Sequence, residues 1–392
     1  MFDIEKIREE FPILHREVYG KPLVYLDSGA TAQKPRQVID TVDYLYRDLN
    51  SNIHRGVHFL SEQATELYEA ARERIAAFIG AAEKEEIVFT AGATASLNTV
   101  AYAWGDAFVG AGDNILVSEM EHHSNIVPWQ LLAERRGAEI RVLPFDLLPS
   151  LVDERTRVVA VTQASNTLGT RPDLRPVIGA AHAVGAVVVV DGCQGVVHGG
   201  VNVREMDCDF YAFSGHKLFG PTGIGVLYGK RALLEKMPPF LGGGDMVDTV
   251  TFEKTTYAPV PLKFEAGTAN FVGAIGLGEA VKFVQRFDPA EIEAHEEALL
   301  RRATERLSAV DGLRIYGTAP GKCAIVSFNV EGVHPYDMGM ILDKLGIAVR
   351  TGQHCAEPVM DRYGTTGMCR ASFALYNTLA EADALAAGVE RA

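Results

Sequence analysis

The sequence predicts an α/β fold: a large domain with a mostly parallel seven-stranded sheet flanked by helices, followed by a smaller α+β domain. Two observations support this prediction. From about residue 86 to residue 228, short apolar runs recur, and helical patterns follow most of them. The runs are nearly continuous in apolar residues, which is typical of parallel strands buried on both faces. Such sheets bind ligands at the carboxyl ends of their strands, so polar residues there are candidates for function.

The segments before the sheet are mainly helical. Residues 3–10 read as a short helix, and apolar spacing predicts longer helices over 36–49 and 61–79. Leu23 to Asp27 is an apolar run that stops at a glycine, so we expect a short strand there. The seven strands of the sheet are predicted over 87–90, 115–118, 140–143, 158–162, 186–190, 210–213 and 224–228.

The C-terminal part has a different pattern, with long helices and few strands. Helices are expected over 271–287, 290–309, 335–345 and 379–390. Strands are expected over 324–329, 347–350 and 371–376, the first of them alternating like a half-exposed strand. A chain of 392 residues is long enough for more than one domain. We therefore predict an N-terminal segment over 1–25 that packs with the small domain, a large domain over 26–264, and a small domain over 265–392.

The composition narrows the possible partners. Asp and Glu number 51 and Lys and Arg 37, which gives a formal net charge of −14. An acidic chain repels phosphate backbones, so we expect neither nucleic acid nor an anionic membrane as a partner. No stretch approaches the roughly 20 apolar residues of a membrane span, and no signal-peptide pattern is visible. The five cysteines are odd in number and widely spaced, so we expect a reducing cytoplasm and no disulfide framework.

A lysine and a carboxylate stand directly after two of the predicted strands. Lys217 follows the strand over 210–213, and Asp191 closes the valine run before it. A lysine amine can hold the aldehyde of pyridoxal 5'-phosphate (PLP) as a Schiff base, while a carboxylate keeps the ring nitrogen protonated. The sequence therefore predicts a PLP site at this edge of the sheet. For Asp191 alone, a helix N-cap is an equally open interpretation.

Four further polar residues follow predicted strands. Thr94 opens a strand-turn-helix segment whose backbone N–H groups can hold a phosphate, although such turns also occur as ordinary packing. His122 can stack on a ring or carry a proton. The alternative is a partly buried histidine whose hydrogen bonds are made within the protein. Asn166 can bind a carboxylate or simply form a turn, and Gln194 is placed to reach a ring oxygen. No third ligand lies at a familiar spacing from the histidines, so we expect no metal site.

Two residues near the C-terminus are candidates for the substrate chemistry. Cys355 has polar neighbours and is bracketed by glycine and proline, which favours a reactive thiol on a loop over a packed core cysteine. Arg370 is expected to open a strand, where a fixed guanidinium can bind a carboxylate with two hydrogen bonds.

Together these residues resemble the fold-type I PLP-dependent enzymes of the class-V aminotransferase family, and more closely the SufS-type (group II) cysteine desulfurases. The resemblance runs almost from end to end of the chain. The matching motifs are Tyr25-Leu26-Asp27-Ser28-Gly29-Ala30-Thr31, Asn52-Ile53-His54-Arg55-Gly56-Val57-His58, Glu121-His122-His123, Ser165-Asn166, Asp191-Gly192-Cys193-Gln194, Ser214-Gly215-His216-Lys217, Phe264-Glu265-Ala266-Gly267-Thr268, the Cys355 loop and Arg370-Ala371-Ser372.

The resemblance implies a role for each candidate residue. Lys217 holds PLP and moves protons, Asp191 pairs with the ring nitrogen, Gln194 bonds the ring oxygen, and His122 stacks on the ring. The phosphate is held by Thr94, Ser214 and His216, with Thr268 reaching in from a second subunit. The substrate carboxylate is held by Asn166 and Arg370, while His54 and Arg55 line the neighbouring subunit's site. A homodimer is therefore implied.

The implied activity is the removal of sulfur from L-cysteine, with release of L-alanine and a persulfide on Cys355. The sulfur then passes to an acceptor protein for iron–sulfur cluster assembly. Tyr336 favours a SufE-like acceptor over a zinc-containing SufU-like one. Two alternatives stay open: a selenocysteine lyase on the same scaffold, and a catalytically silent interaction scaffold. The chain departs from the family pattern at Ala93 and Ala95 in the phosphate turn, at Gln353, and in a short link over 144–156.

Overall fold

A computed structural model describes residues 2–392 of the chain. Its strands, in chain order, are β1 Glu17–Val18, β2 Lys21–Pro22, β3 Val24–Tyr25, β4 Ile87–Thr90, β5 Asn114–Ser118, β6 Glu139–Leu143, β7 Thr156–Thr162, β8 Val187–Asp191, β9 Phe210–Ser214, β10 Gly225–Gly229, β11 Val247–Val250, β12 Thr255–Tyr257, β13 Leu313–Tyr316, β14 Ile325–Val330, β15 Ile347–Ala348, β16 Arg350–Gly352 and β17 Met368–Ser372. Its α-helices are α1 Ile4–Glu9, α2 Arg36–Asp48, α3 Phe59–Ile79, α4 Ala93–Thr99, α5 Asp106–Phe108, α6 Val127–Arg136, α7 Arg175–Ala183, α8 Val203–Met206, α9 Arg231–Lys236, α10 Phe271–Val284, α11 Pro289–Ser308, α12 Pro335–Lys344, α13 Glu357–Tyr363 and α14 Leu379–Val389. Within residues 2–392, none of these helices combines the length and apolar character needed to cross a membrane.

The central sheet has seven strands in the order β4-β10-β9-β8-β7-β5-β6. Strands β5, β6, β7, β8 and β9 run parallel, and β10 runs antiparallel to both of its neighbours. The parallel pairs arise because a crossover connection separates their strands along the chain, whereas only a short loop joins β9 to β10. The predicted α/β fold with a mostly parallel seven-stranded sheet is confirmed, and each predicted strand is present within about two residues of its expected bounds.

The strand register brings the ends of three strands to one edge. Thr162 at the end of β7 pairs with Asp191 at the end of β8, and Asp191 pairs with Ala212 of β9. The loops that carry Asn166 and Lys217 leave from the same edge, because all three strands are parallel. Residues far apart along the chain therefore meet at the carboxyl ends of the strands, as the fold class predicts.

Two apolar cores hold this sheet in place, one on each face. Val159, Val161 and Val188 face one core, while Val158 and Val187 face the other. Fully burying a valine contributes about 1.5–3 kcal/mol, so the sheet is well anchored on both sides. The polar groups at its edge consequently sit on a rigid base.

The C-terminal part contains an antiparallel sheet in the order β13-β14-β17-β16. Here the sequence predictions need correction. The strand expected over 371–376 is β17, Met368–Ser372, so Arg370 lies in the middle of a strand and does not open one. Phe373 to Tyr376 are apolar and read as strand, but they form a buried irregular segment that leads to α14. Strand β13 was not predicted.

Other differences in this part have a clear packing cause. The strand over 347–350 is divided: β15 pairs with β3, and β16 pairs with β17. Strand β14 is buried on both faces along most of its length, and Ser327 donates to the carbonyl of Thr167 at 2.6 Å. The expected half-exposed alternation is therefore wrong.

The division into domains stays a prediction. Strand β3 of the N-terminal segment pairs with β15, and Leu26 packs in the core of the C-terminal sheet. Helix α10, which begins after residue 264, packs along α2 and α3 in the core of the large sheet.

Candidate active site

A cavity of about 220 Å³ lies at the carboxyl ends of the parallel strands. It contains most of the predicted site residues: Thr94, His122, Asn166, Asp191, Ser214, His216, Lys217, Cys355 and Arg370. Strand ends, the first turn of α4 and loops of the large sheet supply most of these side chains, while β17 and the loop after β16 supply Arg370 and Cys355. The cavity thus combines an amine, a buried carboxylate, imidazoles, a guanidinium and a thiol.

Asp191 and Lys217 lie in the cavity at the ends of neighbouring strands. Asp191 is 5% exposed, and its Oδ1 accepts a hydrogen bond from the backbone N–H of Cys193 at 3.0 Å. Lys217 is half-buried and follows β9 in a short helical turn. A buried carboxylate is costly unless a donor or a positive charge satisfies it. A protonated ring nitrogen in the cavity would satisfy Asp191, so these two residues fit the PLP site that the sequence predicts.

The turn between β4 and α4 provides the second end of the cavity. Gly92 has φ 149°, and the N–H of Ala93 donates to Ser214 Oγ at 2.9 Å. The hydroxyls of Thr94 and Ser124 are 2.8 Å apart. The first N–H groups of a helix have no partner within the helix, which makes this end suitable for a phosphate.

Two imidazoles near Lys217 are neutral at physiological pH. Burial lowers the pKa of His122 to about 4, and Lys217 contributes further. Burial and the charge of Lys217 also lower the pKa of His216 to about 4. The Nδ1 atom of His122 accepts a hydrogen bond from the N–H of Ser124 at 3.1 Å, which fixes the ring beside the cavity. Both side chains therefore present uncharged nitrogen atoms.

Glu121 lies fully buried behind His122 and was not predicted as a site residue. Its carboxyl accepts from Asn125 Nδ2 at 2.6 Å, from the N–H of Thr162 at 2.7 Å, and from the hydroxyl of Ser118. Burial raises the pKa of Glu121 to about 8, although these donors oppose the rise. Glu121 thereby connects the ends of β5 and β7 to the segment that carries His122.

Arg370 and Asn166 line the cavity, and each has a buried polar atom without a partner. Arg370 is 2% exposed; it donates to Asp27 Oδ1 at 3.1 Å and to the Asn166 carbonyl at 2.8 Å. Asn166 Nδ2 donates to the carbonyl of His354 at 2.8 Å. Arg370 Nε and Asn166 Oδ1 are buried and have no hydrogen-bond partner among the described residues 2–392. Buried polar groups in this state are typical of a ligand site.

Cys355 lies on a short loop between β16 and α13. It is the exposed cysteine, whereas the others, Cys193, Cys208, Cys323 and Cys369, are buried. His354 and Cys355 both have φ 55°, in the left-handed region that costs a non-glycine residue roughly 1–2 kcal/mol. The N–H of His123 donates to the carbonyl of Cys355 at 2.8 Å. The backbone is therefore held, and Cys355 is both exposed and part of the cavity lining.

Four predicted site residues lie outside this cavity. Gln194 is buried, and its Nε2 donates to the carbonyl of Gly29, which itself lines the cavity. Thr268 lines a separate cavity with Tyr68. His54 and Arg55 line a third. The roles proposed for these four residues stay predictions.

Several cavity residues were missed by sequence reasoning. Cys193, Ser124, Arg350 and His354 all line the cavity. Cys193 and Ser124 stand within two residues of predicted site residues, and this proximity was the available signal. Arg350 carries no such signal, because its approach to Asp27 at 4.0 Å depends on the tertiary fold.

Known proteins resemble this chain along its whole length. Residues 24–385 match the family model described as Aminotransferase class-V. A protein named cysteine desulfurase from Salmonella agona is 51% identical, covering 100% of this chain and 98% of its own. A cysteine desulfurase from Pectobacterium carotovorum has the same identity and coverage.

Solved structures agree with this assignment. The cysteine desulfurase CsdA of Escherichia coli, in an S-sulfonic acid form, superposes with a TM-score of 0.93 at 43% identity, over 100% of this chain and 98% of that one. The cysteine desulfurase of Thermococcus onnurineus also gives 0.93, at 38% identity, over 99% and 97%. The chain therefore belongs to the class-V aminotransferase family, in the group whose curated members are named cysteine desulfurases.

Proposed function

We propose that the protein is a cysteine desulfurase of the SufS type. It removes sulfur from L-cysteine, releases L-alanine and holds the sulfur as a persulfide on Cys355. One observation carries the proposal: a single cavity contains Lys217, the buried Asp191 and the exposed Cys355. A PLP enzyme without sulfur transfer needs the first two residues but has no use for an exposed thiol at the entrance.

The cofactor is PLP, and the cavity residues fit it. Lys217 supplies the amine, Asp191 the carboxylate for the ring nitrogen, and Thr94, Ser214 and His216 the polar groups for the phosphate. When bound, PLP supplies an aldehyde that captures amines and a ring that accepts electron density from the substrate. Gln194 and His122 complete the ring contacts in this proposal.

The substrate is held at the entrance. Arg370 and Asn166 bind its carboxylate, since Arg370 Nε is buried without a partner and one amide hydrogen of Asn166 is left after its bond to His354. Asp27 keeps the guanidinium of Arg370 oriented. Lys217 Nζ then takes the α-proton, while the neutral His122 lies in the same cavity to contact the ring.

Sulfur transfer needs the Cys355 thiol and the bound cofactor, whose ring would accept the electron density left on the substrate carbon. The Cys355 thiolate attacks the sulfur atom of the bound cysteine, so that an S–S bond forms and the C–S bond breaks. The electron pair of the C–S bond stays on the carbon, which takes up a proton and becomes the methyl group of alanine. Cysteine and the enzyme thiol thus give alanine and the enzyme persulfide, without an external oxidant or reductant.

The acceptor has to approach the enzyme. Only Gln353 to Ala356 separate β16 from α13, and four residues span at most about 14 Å even when extended. The persulfide therefore stays near the cavity entrance, and an acceptor protein collects it for iron–sulfur cluster assembly. Tyr336 on α12 is 62% exposed and available for contact. A tyrosine at this position is typical of the family members served by a SufE-like acceptor. A SufE-like acceptor is therefore favoured over a SufU-like one.

We further propose a homodimer. Thr268, His54 and Arg55 lie away from the chain's own Lys217 cavity, and they can contribute to such a site only from a second copy. Exposed apolar side chains on either side of His54 in the sequence favour this arrangement, among them Tyr46, Val57 and Phe59. Large exposed apolar groups in one region are typical of protein contacts.

Mass spectrometry of the holoenzyme after exposure to L-cysteine tests the function. We expect a mass increase of one sulfur on the peptide that contains Cys355, together with released alanine. Cys355→Ala should abolish the adduct, whereas Cys208→Ala, which alters a buried cysteine of the large core, should retain it.

Other outcomes identify the alternatives. Alanine released beside an unmodified Cys355 would contradict the mechanism. Alanine release from selenocysteine alone, undiminished in Cys355→Ala, would favour a selenocysteine lyase. Purified protein that stays colourless with added PLP would favour a silent scaffold.

A further inference from the structure

His354 stands immediately before the reactive cysteine, and the residue is 7% exposed. Its Nε2 lies 3.1 Å from the carbonyl of Met368 at the start of β17. Its own carbonyl accepts from Asn166 Nδ2 at 2.8 Å. The side chain thus contacts the C-terminal sheet, while the backbone contacts the loop that follows β7.

These contacts hold a backbone that does not favour its own conformation. His354 and Cys355 both occupy the left-handed region, which non-glycine residues rarely adopt without support from their surroundings. Further support comes from the N–H of Ala356, which donates to the carbonyl of Gln353 at 3.0 Å, and from His123. The N–H of His123 donates to the Cys355 carbonyl at 2.8 Å, and its Nε2 accepts from the N–H of Glu357 at 3.2 Å. His354 holds the loop on the N-terminal side of the thiol, and His123 holds it on the C-terminal side.

We propose that His354 is a positioning residue that holds Cys355 at the cavity entrance through its contacts with Met368 and Asn166. The proposal rests on the sulfur-accepting role given to Cys355 above. Asn166 also serves the substrate carboxylate in that function. The same amide therefore connects the substrate site to the backbone of the sulfur-accepting loop.

The protonation state of the His354 imidazole fits a residue that positions Cys355 and does not fit a residue that transfers protons. Burial lowers the pKa of His354 to about 3, and the charge of Arg370 adds to this effect. The ring is neutral, and the carbonyl of Met368 requires the hydrogen on Nε2. Nδ1 then carries a lone pair and has no partner among residues 2–392. An imidazole with so low a pKa is a poor base at neutral pH.

The test separates the step that uses Cys355 from the step that does not. For His354→Ala in the holoenzyme, we expect the rate of persulfide formation from L-cysteine to fall about 10²-fold, as a displaced reacting group typically causes. Exchange of the α-proton of L-alanine in D₂O, followed by NMR, should stay within about twofold because Lys217 and the cofactor remain in place. Alkylation of Cys355 by iodoacetamide should accelerate severalfold as the loop is released.

A conservative variant and a matched control complete the experiment. His354→Gln retains an N–H donor for the Met368 carbonyl, and we expect it to form the persulfide at close to the rate of the unsubstituted protein. If His354→Ala does not fold, the persulfide and alkylation rates of His354→Gln test the proposal instead. His198→Gln alters an equally buried histidine that pairs with Glu296 at 2.7 Å, and it should leave the alkylation of Cys355 unchanged.

Two results would overturn the proposal. One is unchanged persulfide formation and alkylation in His354→Ala. The other is an equal loss of α-proton exchange and persulfide formation, which would indicate a general structural role. Failure of the proposed function looks different, because the unsubstituted protein would then form no persulfide at all while the alkylation rates still report on the loop.

Discussion

The two sides of the cavity are built in opposite ways. We call the strand-end residues His122, Asp191 and Lys217 the floor, and the segment from Gln353 to Ala356 the cysteine loop. The floor stands on buried strands that are paired on both sides and packed on two cores. The cysteine loop is short, exposes its thiol and contains two left-handed residues.

The difference follows from what each side has to meet. The floor residues act on one ring in a fixed geometry, and displacement by about 1 Å can cost 10²-fold in rate. The cysteine loop must receive an atom from inside the cavity and present it to a second protein outside. Rigid strands thus suit the floor residues. An exposed loop whose backbone is fixed by hydrogen bonds suits the transfer of sulfur to a second protein.

The largest effect is expected from a change in the floor. Lys217→Ala removes the amine that anchors the cofactor and moves protons, so alanine release from L-cysteine should fall by at least about 10²–10⁴-fold. The visible absorbance of the cofactor-bound protein should change as well. Lys236→Ala, which alters an exposed lysine on α9, is the control and should match the unsubstituted protein. Full activity in Lys217→Ala would disprove the assignment of the floor.

A smaller effect is expected from Glu121, which supports the floor from behind. Its pKa is raised from 4.5 to about 8, so between these values the folded chain binds a proton that the unfolded chain has released. Stability should therefore decrease as pH rises from about 4.5 to 8, by an amount on the order of a few kcal/mol. Glu121→Gln cannot ionise and should lack this contribution.

Urea unfolding at pH 5 and pH 8 measures the difference. The free energy of unfolding should fall more steeply with pH for the unsubstituted protein than for Glu121→Gln. Parallel pH dependence in the two proteins would mean that Glu121 is ionised in the folded state, despite its burial.

The smallest effect is expected on the outer side of the cysteine loop. Arg362 on α13 lies 3.2 Å from Glu119 and over the ring of Phe145, at 4.8 Å, in the short link over 144–156. Its side chain is 51% exposed, and exposed ion pairs contribute about 0–1 kcal/mol. Arg362→Met should therefore change the free energy of unfolding by less than about 1 kcal/mol. A loss of several kcal/mol would mean that α13 depends on this contact.

The floor was more predictable from sequence than the cysteine loop. Continuous apolar runs identify strands such as Val187–Asp191, and the polar residue that ends each run marks the edge of the sheet. The C-terminal strands were harder to place. The apolar segment Phe373 to Tyr376 carries no local sign that it is irregular, because its burial depends on neighbouring elements.

Buried residues that support a site residue could not be identified from the sequence. Glu121 and His354 are each next to a predicted site residue, but a sequence does not reveal that a side chain points into the protein. Glu121 accepts from Thr162 and His354 contacts Met368, and these two partners lie 41 and 14 positions away. Tertiary contacts of this kind become visible only once the strands are assembled.

The contrast between one exposed thiol and four buried ones has a practical consequence. A maleimide dye added to the folded protein should attach at a single position per chain, beside the opening through which substrate enters. The native sequence therefore provides a single labelling position, and a dye attached there would report the approach of a partner protein.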